Sequence, residues 1–150
     1  MAAIKARFQG ITTAGGYATN LGQNVSVWRG SDWAKGQLLA VNLMDVLDEI
    51  AYATMGVSKE EHKLTIEAVI ACQAGTNTGE TLRKAIADAY KAIGVDHRWT
   101  VAGERLAFDT RLQKDEAGFD QEDRTVAVAK VTFVVHYRTS RFDPYTIQNG

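Results

Sequence analysis

Cysteine and proline are almost missing from this sequence. The single cysteine, Cys72, excludes an internal disulfide and every zinc motif that is built on cysteine pairs. Because a chain without disulfides suits a reducing compartment, we expect the protein to be made and used in the cytoplasm. The single proline, Pro144, lies in the segment that begins at Ser140, which we expect to be an extended tail.

Long apolar runs and an excess of one charge are missing too. No stretch is long enough for a signal peptide or a membrane span. The formal net charge of -1 gives no basis for the salt-dependent attraction to phosphate groups that nucleic-acid and membrane-surface binders need. Of the 150 residues, 45% are hydrophobic and 23% are charged, as in ordinary globular proteins, and no repeat or linker divides them. We therefore expect a single domain spanning residues 1–150.

Two segments have the apolar spacing of amphipathic helices. The first runs from Ala2 to Ile11, and the second follows Asn77 and ends at Gly94. Asn77 and Glu80 have the spacing of a capping box, and we expect Gly94 to adopt the left-handed conformation that ends many helices. The residues expected to be buried on these two helices are Ile4, Phe8, Ile11, Leu82, Ile86, Ala89, Tyr90 and Ile93.

Strand patterns occupy the region between the two helices. The stretch from Thr12 to Gly22 is rich in glycine and small polar residues, which predicts a loop, and a short strand around Val25 and Val27 follows it. Residues from Lys63 to Cys72 alternate between polar and apolar, as in a half-buried strand. Cys72 falls on the apolar face of that strand, where we expect an unreactive buried thiol.

The stretch from Leu38 to Met55 fits a helical face and a strand equally well. A strand needs a neighbour, and the most local solution is a hairpin with the strand that begins at Lys63. We therefore interpret Leu38 to Leu43 as its partner strand, connected through a turn at Gly56.

The last third of the chain predicts a long antiparallel hairpin. Its arms are Arg105 to Gln113 and Thr125 to Thr139, and the polar stretch from Lys114 to Asp123 between them reads as the tip. The fold class that follows is α+β, with a mixed, mostly antiparallel β-sheet that contains a long C-terminal hairpin and packs against two helices.

No histidine lies in a motif that would make it a metal ligand or a catalytic base. His62, His97 and His136 are far apart, and none has a second histidine or cysteine at ligand spacing. Asp96 and His97 are neighbours and could form a base with an orienting carboxylate, but a pair in a loop after a helix is more often simply solvated.

Glycine-rich and acidic segments also have simpler explanations than ligand binding. The segment from Gly75 to Gly79 precedes a helix, but the lysine of a P-loop is absent and Glu80 would repel a phosphate. The acidic stretch from Asp115 to Asp123 does not have the ligand order of a calcium loop. We predict no catalytic, cofactor-binding or metal-binding residues and no enzymatic activity.

Aromatic and arginine residues, which often anchor protein interfaces, cluster in two places. One cluster surrounds Gly30 and the other follows the last predicted strand, and the tip of the predicted hairpin adds a third set. The alternative for the two tryptophans is that they cover the edge of the core. The interface candidates are Trp28, Arg29, Trp33, Glu116, Phe119, Asp120, Arg138, Arg141, Phe142 and Tyr145.

The order of these features resembles that of the tail terminator or tail completion proteins of long-tailed phages. The resemblance is carried by residues 11–22, ITTAGGYATNLG, by the strand end Val27-Trp28-Arg29-Gly30, and by residues 126–139, VAVAKVTFVVHYRT. These are turn and strand patterns that span most of the chain and contain no catalytic signature.

The resemblance implies a small α+β subunit that needs no cofactor. Its partners would be five further copies in a six-membered ring, the tail-tube protein and the head-to-tail connector. Such a ring ends tube growth and joins the tail to the head, in the tail or neck of a virion assembled in the host bacterial cytoplasm. It implies no contact with a membrane and no sequence-specific recognition of nucleic acid, although the ring lumen would be open to DNA.

We expect the segments Asp115 to Asp123 and Arg138 to Tyr145 to contact neighbouring copies or the tube. The nearest alternative function is another neck or tail protein, either a connector or a tube subunit. Two further alternatives are a small enzyme whose site is assembled from distant residues such as Asp96 and His97, and a host binding module. A discrete ring in solution would favour a virion component over these two.

Overall fold

The computed structural model describes residues 1–52, 58–120 and 124–148. Two α-helices, α1 (Ala2–Gln9) and α2 (Thr78–Val95), pack against one β-sheet. The strands are β1 (Val25–Val27), β2 (Ala40–Tyr52), β3 (Lys59–Gln73), β4 (Thr100–Val101), β5 (Glu104–Arg105), β6 (Asp109–Phe119), β7 (Val126–Ser140) and β8 (Asp143–Ile147).

The main sheet has the strand order β1-β2-β3-β7-β6. The strand β8 pairs with the end of β7, at Thr139 and Ser140, which β6 does not reach. Only the β1–β2 pair is parallel. The two long hairpins, β2–β3 and β6–β7, place β3 and β7 side by side in the middle, where their ladder runs from Lys59 opposite Ser140 to Gln73 opposite Val126. The strands β4 and β5 form a separate small hairpin. The α+β class predicted from the sequence is confirmed.

Both helices cover the same face of the sheet because alternate strand residues are apolar there. On β3 these residues are Leu64, Ile66, Ala68, Ile70 and Cys72, and on β7 they are Ala127, Ala129, Val131, Phe133 and Val135. In this core the ring of Phe8, on α1, and the ring of Trp99, which follows α2, each stack on Phe133, at 6.5 and 6.3 Å between centroids. Burial raises the pKa of the Cys72 thiol, as expected for a thiol on this face.

The glycine-rich loop is held to α2 by a buried carboxylate. Asp88 accepts hydrogen bonds from the backbone N–H groups of Ala18 and Thr19, at 3.0 and 2.7 Å, and from the Thr19 hydroxyl at 2.7 Å. Gly22 lies so close to the end of α1 that a Cβ atom would stand 2.5 Å from the Gln9 carbonyl oxygen. These two contacts give a structural reason for the residues of the loop.

The end of α1 and the start of α2 both differ from the prediction. The helix α1 ends at Gln9 rather than Ile11, although Ile11 is still buried. Asn77 precedes α2 but its side chain makes no capping hydrogen bond, because the Thr78 hydroxyl bonds to Gly75 instead and Glu80 pairs with Lys84.

Gly94 does not end α2 in a left-handed conformation. The helix continues to Val95 and is followed by an extended Asp96. The Asp96 carboxylate accepts the backbone N–H groups of Arg98 and Thr100, at 3.0 and 2.6 Å, and so organises the turn that leaves the helix. A carboxylate downstream of the helix therefore replaces the predicted glycine stop.

The hairpins are longer than predicted. The stretch from Leu38 to Met55, which fitted a helix or a strand, does form a strand, and that strand, Ala40–Tyr52, continues well past the predicted end at Leu43. The predicted turn at Gly56 lies outside the described residues. The strand β6 continues through most of the predicted tip to Phe119, because β7 also extends that far and its Ala127 pairs with Phe119. Residues 121–123 of the predicted tip are also outside the described part. The predicted extended tail is wrong, because the chain turns at residues 141–142 and returns as β8.

Candidate assembly surfaces

The two outer edges of the sheet are open over much of their length. On one side, β1 pairs with the outer edge of β2 only from Val41 to Leu43. From Met44 to Tyr52, β2 pairs with β3, and within the described residues no second strand pairs with its outer edge. On the other side, β6 pairs with β7 and with no second described strand. An open strand edge presents backbone N–H and C=O groups that another chain can pair with. Each copy therefore offers two different strand edges.

Apolar side chains surround the open edge of β2, and we name Trp28, Val46, Leu47 and Ile50 the β2-edge patch. Trp28, Leu47 and Ile50 are 58%, 52% and 54% exposed. Leu47 lies opposite Thr65 on the face without helices, whereas Ile50 lies opposite His62 on the face with helices. The patch therefore borders the open edge on both faces. Several large apolar side chains exposed along one strand edge make that edge a candidate interaction surface.

Trp28 is fixed where the open edge begins. Its backbone N–H donates to the Leu43 carbonyl at 3.0 Å, its indole N–H donates to the Asp45 carboxylate, and its φ of 50° lies in the left-handed region. A non-glycine residue with such a φ is uncommon, and it is retained where surrounding contacts enforce it. The ring is thus exposed and also fixed in position.

The turn before β8 and β8 itself each carry a highly exposed ring. Phe142 is 81% exposed with a φ of 61°, and Tyr145 is 93% exposed. The guanidinium of Arg141 lies 4.8 Å from the centre of the Phe142 ring. Between β8 and the β4–β5 hairpin lies a cavity of about 690 Å³, which we name the β5–β8 groove. Its lining consists of Gly103, Glu104, Arg105, Leu106, Tyr145, Thr146 and Ile147.

The predicted interface residues fall into separate groups. Trp28 lies on the edge of β2, Glu116 and Phe119 lie in the last part of β6, and Arg141, Phe142 and Tyr145 lie at β8. Trp33 and Asp120 are brought together, because both line a cavity of about 210 Å³ on the face without helices.

Two of the predicted arginines make contacts within the chain. Arg29 donates to the carbonyls of Ser31 and Asp32 at 2.9 and 3.0 Å, and its guanidinium lies 4.3 Å from the centre of the Trp33 ring. Arg138 donates to the Glu61 carboxylate at 2.8 Å and lies over the Phe108 ring. Their internal partners explain these two side chains without a second molecule.

Sequence reasoning missed the residues of the β2 edge and a polar cluster beside it. The spacing of Val46, Leu47 and Ile50 suited a helix as well as a strand, so the edge position gave no signal in the sequence. In the polar cluster, Nδ1 of His62 donates to Asp48 at 3.0 Å, and Nε2 of His62 lies 3.1 Å from the Thr139 hydroxyl.

The polar cluster resembles a carboxylate-histidine-hydroxyl relay, but its position explains it better as a connection between strands. Thr139 is 1% exposed, so its hydroxyl faces no surface from which a substrate could approach. The Tyr137 hydroxyl also donates to Asp48, at 2.9 Å, and the Tyr137 ring stacks on His62. Burial and this hydrogen bond raise the pKa of Tyr137. The cluster joins β2, β3 and β7.

Within residues 1–52, 58–120 and 124–148, no group of three histidine, cysteine or carboxylate side chains is arranged to hold a metal ion. None of the helices in these segments has the length and apolar character needed to cross a membrane.

Comparison with known proteins adds no relative to this description. A scan against models of protein families finds no match for the chain, and a search of curated proteins finds no similar sequence.

Proposed function

We propose that this chain is a structural subunit that assembles into a closed ring, and that the ring is the terminator of a phage-type tail. The observation that carries the proposal is the pair of different open edges on opposite sides of one sheet, one of them bordered by the β2-edge patch. The phage assignment itself comes from the resemblance of the loop at residues 11–22 and of the strand at residues 126–139 to tail terminators.

The strand directions allow one copy to continue the sheet of the next. The strand β3 is antiparallel to both β2 and β7, and β6 is antiparallel to β7, so β2 and β6 run in opposite directions. A rotation about an axis along the strands keeps these directions. It therefore places β6 of one copy antiparallel to β2 of the next, as in the hairpins of the sheet itself.

When two different edges meet, each added copy still has one open edge. Copies therefore continue to add until the last one contacts the first and closes a ring. A twofold contact of one edge with itself would stop at two copies and leave the β2-edge patch or β6 uncovered. Closed rings therefore use both open edges of every copy, which supports a ring over a dimer.

The test is to purify the chain, measure its copy number by native mass spectrometry and image it, alone and with a phage tail-tube protein. We expect one closed ring of fixed copy number that binds the end of a tube and stops its growth. Open-ended tubes made by the chain itself would favour the tube-subunit alternative. A monomer at every concentration, or a dimer alone, would overturn the proposal.

A further inference from the structure

The open edge of β2 and the outer edge of β6 match each other in height. Through the ladders of β3 and β7, Leu47 is level with Arg111 and Glu49 is level with Asp109. A rotation about an axis along the strands does not shift one copy along that axis. In the proposed ring, these residues of neighbouring copies therefore lie opposite each other.

Both edges also have an irregularity at the same height. Residues 44–47 of β2 and 111–114 of β6 are four residues each, whereas residues 65–67 of β3 and 132–134 of β7, which lie between them, are three each. Each edge strand thus has one extra residue, a β-bulge, in the same interval. A strand without a bulge would lose its register with either edge there, but the two edges can pair with each other without interruption.

The strand β1 limits how far this contact extends. It pairs with β2 up to Leu43, which is level with Asp115 of β6. The contact is therefore confined to β2 from Met44 onwards, and β6 of the neighbouring copy has to part from β2 beyond Lys114. A β-bulge bends its strand, and the bulge of β6 lies at this point, between Leu112 and Lys114.

The open edge of β2 is acidic. Residues 44–49 include three carboxylates and no cation, namely Asp45, Asp48 and Glu49. Asp45 and Asp48 already accept hydrogen bonds from side chains of their own chain. The Glu49 side chain is exposed and has no hydrogen bond or ion pair within the described residues, where Lys63 lies opposite it in the ladder. Glu49 is thus the carboxylate that this edge offers to a neighbour.

The facing part of β6 has two cations and one carboxylate. Lys114 pairs with Glu116 at 3.0 Å. Arg111 donates from Nε to Asp109 at 2.8 Å, and its side chain is 72% exposed. Within the described part of the chain this is the only hydrogen bond of that guanidinium, so its two terminal NH₂ groups can bind a second carboxylate.

Resting on the proposed ring, we propose that Glu49 of one copy forms an ion pair with Arg111 of the next copy, and that this pair fixes the register of the two edges. Both side chains lie on the face without helices, because their ladder partners Lys63 and Val134 alternate with the residues that face the helices. In this register the two are diagonal neighbours, which long side chains can span. Asp109 lies directly opposite Glu49 and repels it, so the contact depends on Arg111 bridging the two carboxylates.

Reversing the two charges tests the pair. Glu49→Arg and Arg111→Glu should each raise the concentration needed for half-assembly at least about tenfold, because each places like charges against each other across the contact. Combined in one chain, they restore the pair in the opposite sense and should bring that concentration back to within about threefold of the unaltered value. Within one chain β3 and β7 separate the two residues by about 14 Å, at a strand spacing of about 4.8 Å, so the recovery reports a contact between copies.

The matched control combines Glu49→Arg with Arg83→Glu. Arg83 is 70% exposed and also pairs with a carboxylate, that of Asp115 at 3.2 Å, but it lies on α2 rather than on an edge strand, so its reversal should give no recovery. Denaturant unfolding of each variant checks that its monomer is folded. If a reversed charge disturbs the monomer, Glu49→Gln and Arg111→Gln replace it in the same double-mutant cycle.

A ring that forms in the unaltered protein, with no recovery in the double variant or no coupling in the glutamine cycle, would overturn the ion pair and its register and leave the ring proposal intact. An unaltered chain that never assembles would overturn both.

Discussion

The helix-covered face and the open edge of β2 both carry large apolar side chains, but they use them differently. Phe8, Trp99 and Phe133 are buried between the helices and the sheet, and the first two rings stack on Phe133. Trp28 and Ile50 are more than half exposed, although two hydrogen bonds hold Trp28 in position. The difference separates apolar surface that stabilises the monomer from apolar surface that is left for a partner.

Replacing a ring on the helix-covered face should have the largest effect. Phe133→Ala should lower the free energy of unfolding by about 4 kcal/mol, because it removes a fully buried ring and leaves a cavity beside Phe8 and Trp99. Denaturant unfolding of the monomer measures this. The matched change Phe142→Ala removes an exposed ring and should alter the free energy by less than about 0.5 kcal/mol. Equal losses from both variants would contradict the comparison.

The buried carboxylate should have the next largest effect. Asp88→Ala should lower the free energy of unfolding by about 3 kcal/mol, because two backbone donors of the loop, at residues 18 and 19, lose their carboxylate acceptor. Glu80→Ala on the same helix removes only an exposed pair with Lys84 and serves as the control, with a change below about 1 kcal/mol. The same denaturant series compares the two. A small effect of Asp88→Ala would show that another group holds the loop.

How much of this fold the sequence could predict depends on how local the cause is. Alternation over residues 63–72 and the apolar stripe of α2 predicted their elements correctly, since burial of one face acts within each segment. Gly94 and Asn77 misled for a different reason, because near neighbours in the sequence, the Asp96 carboxylate and the Thr78 hydroxyl, organise the end and the start of the helix instead. The partner of the glycine-rich loop, Asp88, is about 70 residues away and leaves no local pattern.

The candidate site was predictable in part. Trp28, Phe142 and Tyr145 were identified by residue type and do lie exposed at edges or turns. The rest of the β2-edge patch was not identified, because whether Leu47 is exposed depends on which strand lies beside β2. That is a property of the sheet order, which spacing within one segment cannot reveal.

A charge on the β2 edge should affect assembly and leave the monomer stable. Leu47→Lys should change the free energy of unfolding by less than about 0.5 kcal/mol, because Leu47 is already exposed. It should raise the concentration needed for half-assembly at least about tenfold, because covering an unpaired charge costs more than about 1.4 kcal/mol. Sedimentation over a concentration series measures the shift. Val95→Lys places the same charge on an exposed valine of α2, and an equal shift there would remove the edge from this role.

The smallest effect concerns the face of the sheet without helices. There the pKa of His136 depends on how well the surrounding side chains exclude water. Burial, and next repulsion from Arg111, lower the pKa of His136 in the folded chain, while Asp109 and Glu61 oppose this and Lys63 adds to it. The unfolded chain then takes up a proton at a higher pH than the folded chain does. Stability should therefore fall as the pH drops below about 6.5, the ordinary histidine pKa.

Replacing His136 tests whether this face is closed by the side chains around it. His136→Gln should lose less stability than the unaltered protein between about pH 6.5 and pH 5, in denaturant unfolding at each pH. Arg111→Gln should reduce the same pH dependence partially, because it removes the second cause and leaves the burial. If neither variant alters the pH dependence, His136 is as accessible to water in the folded chain as in the unfolded one. The face without helices would then resemble the open edges more than the helix-covered core.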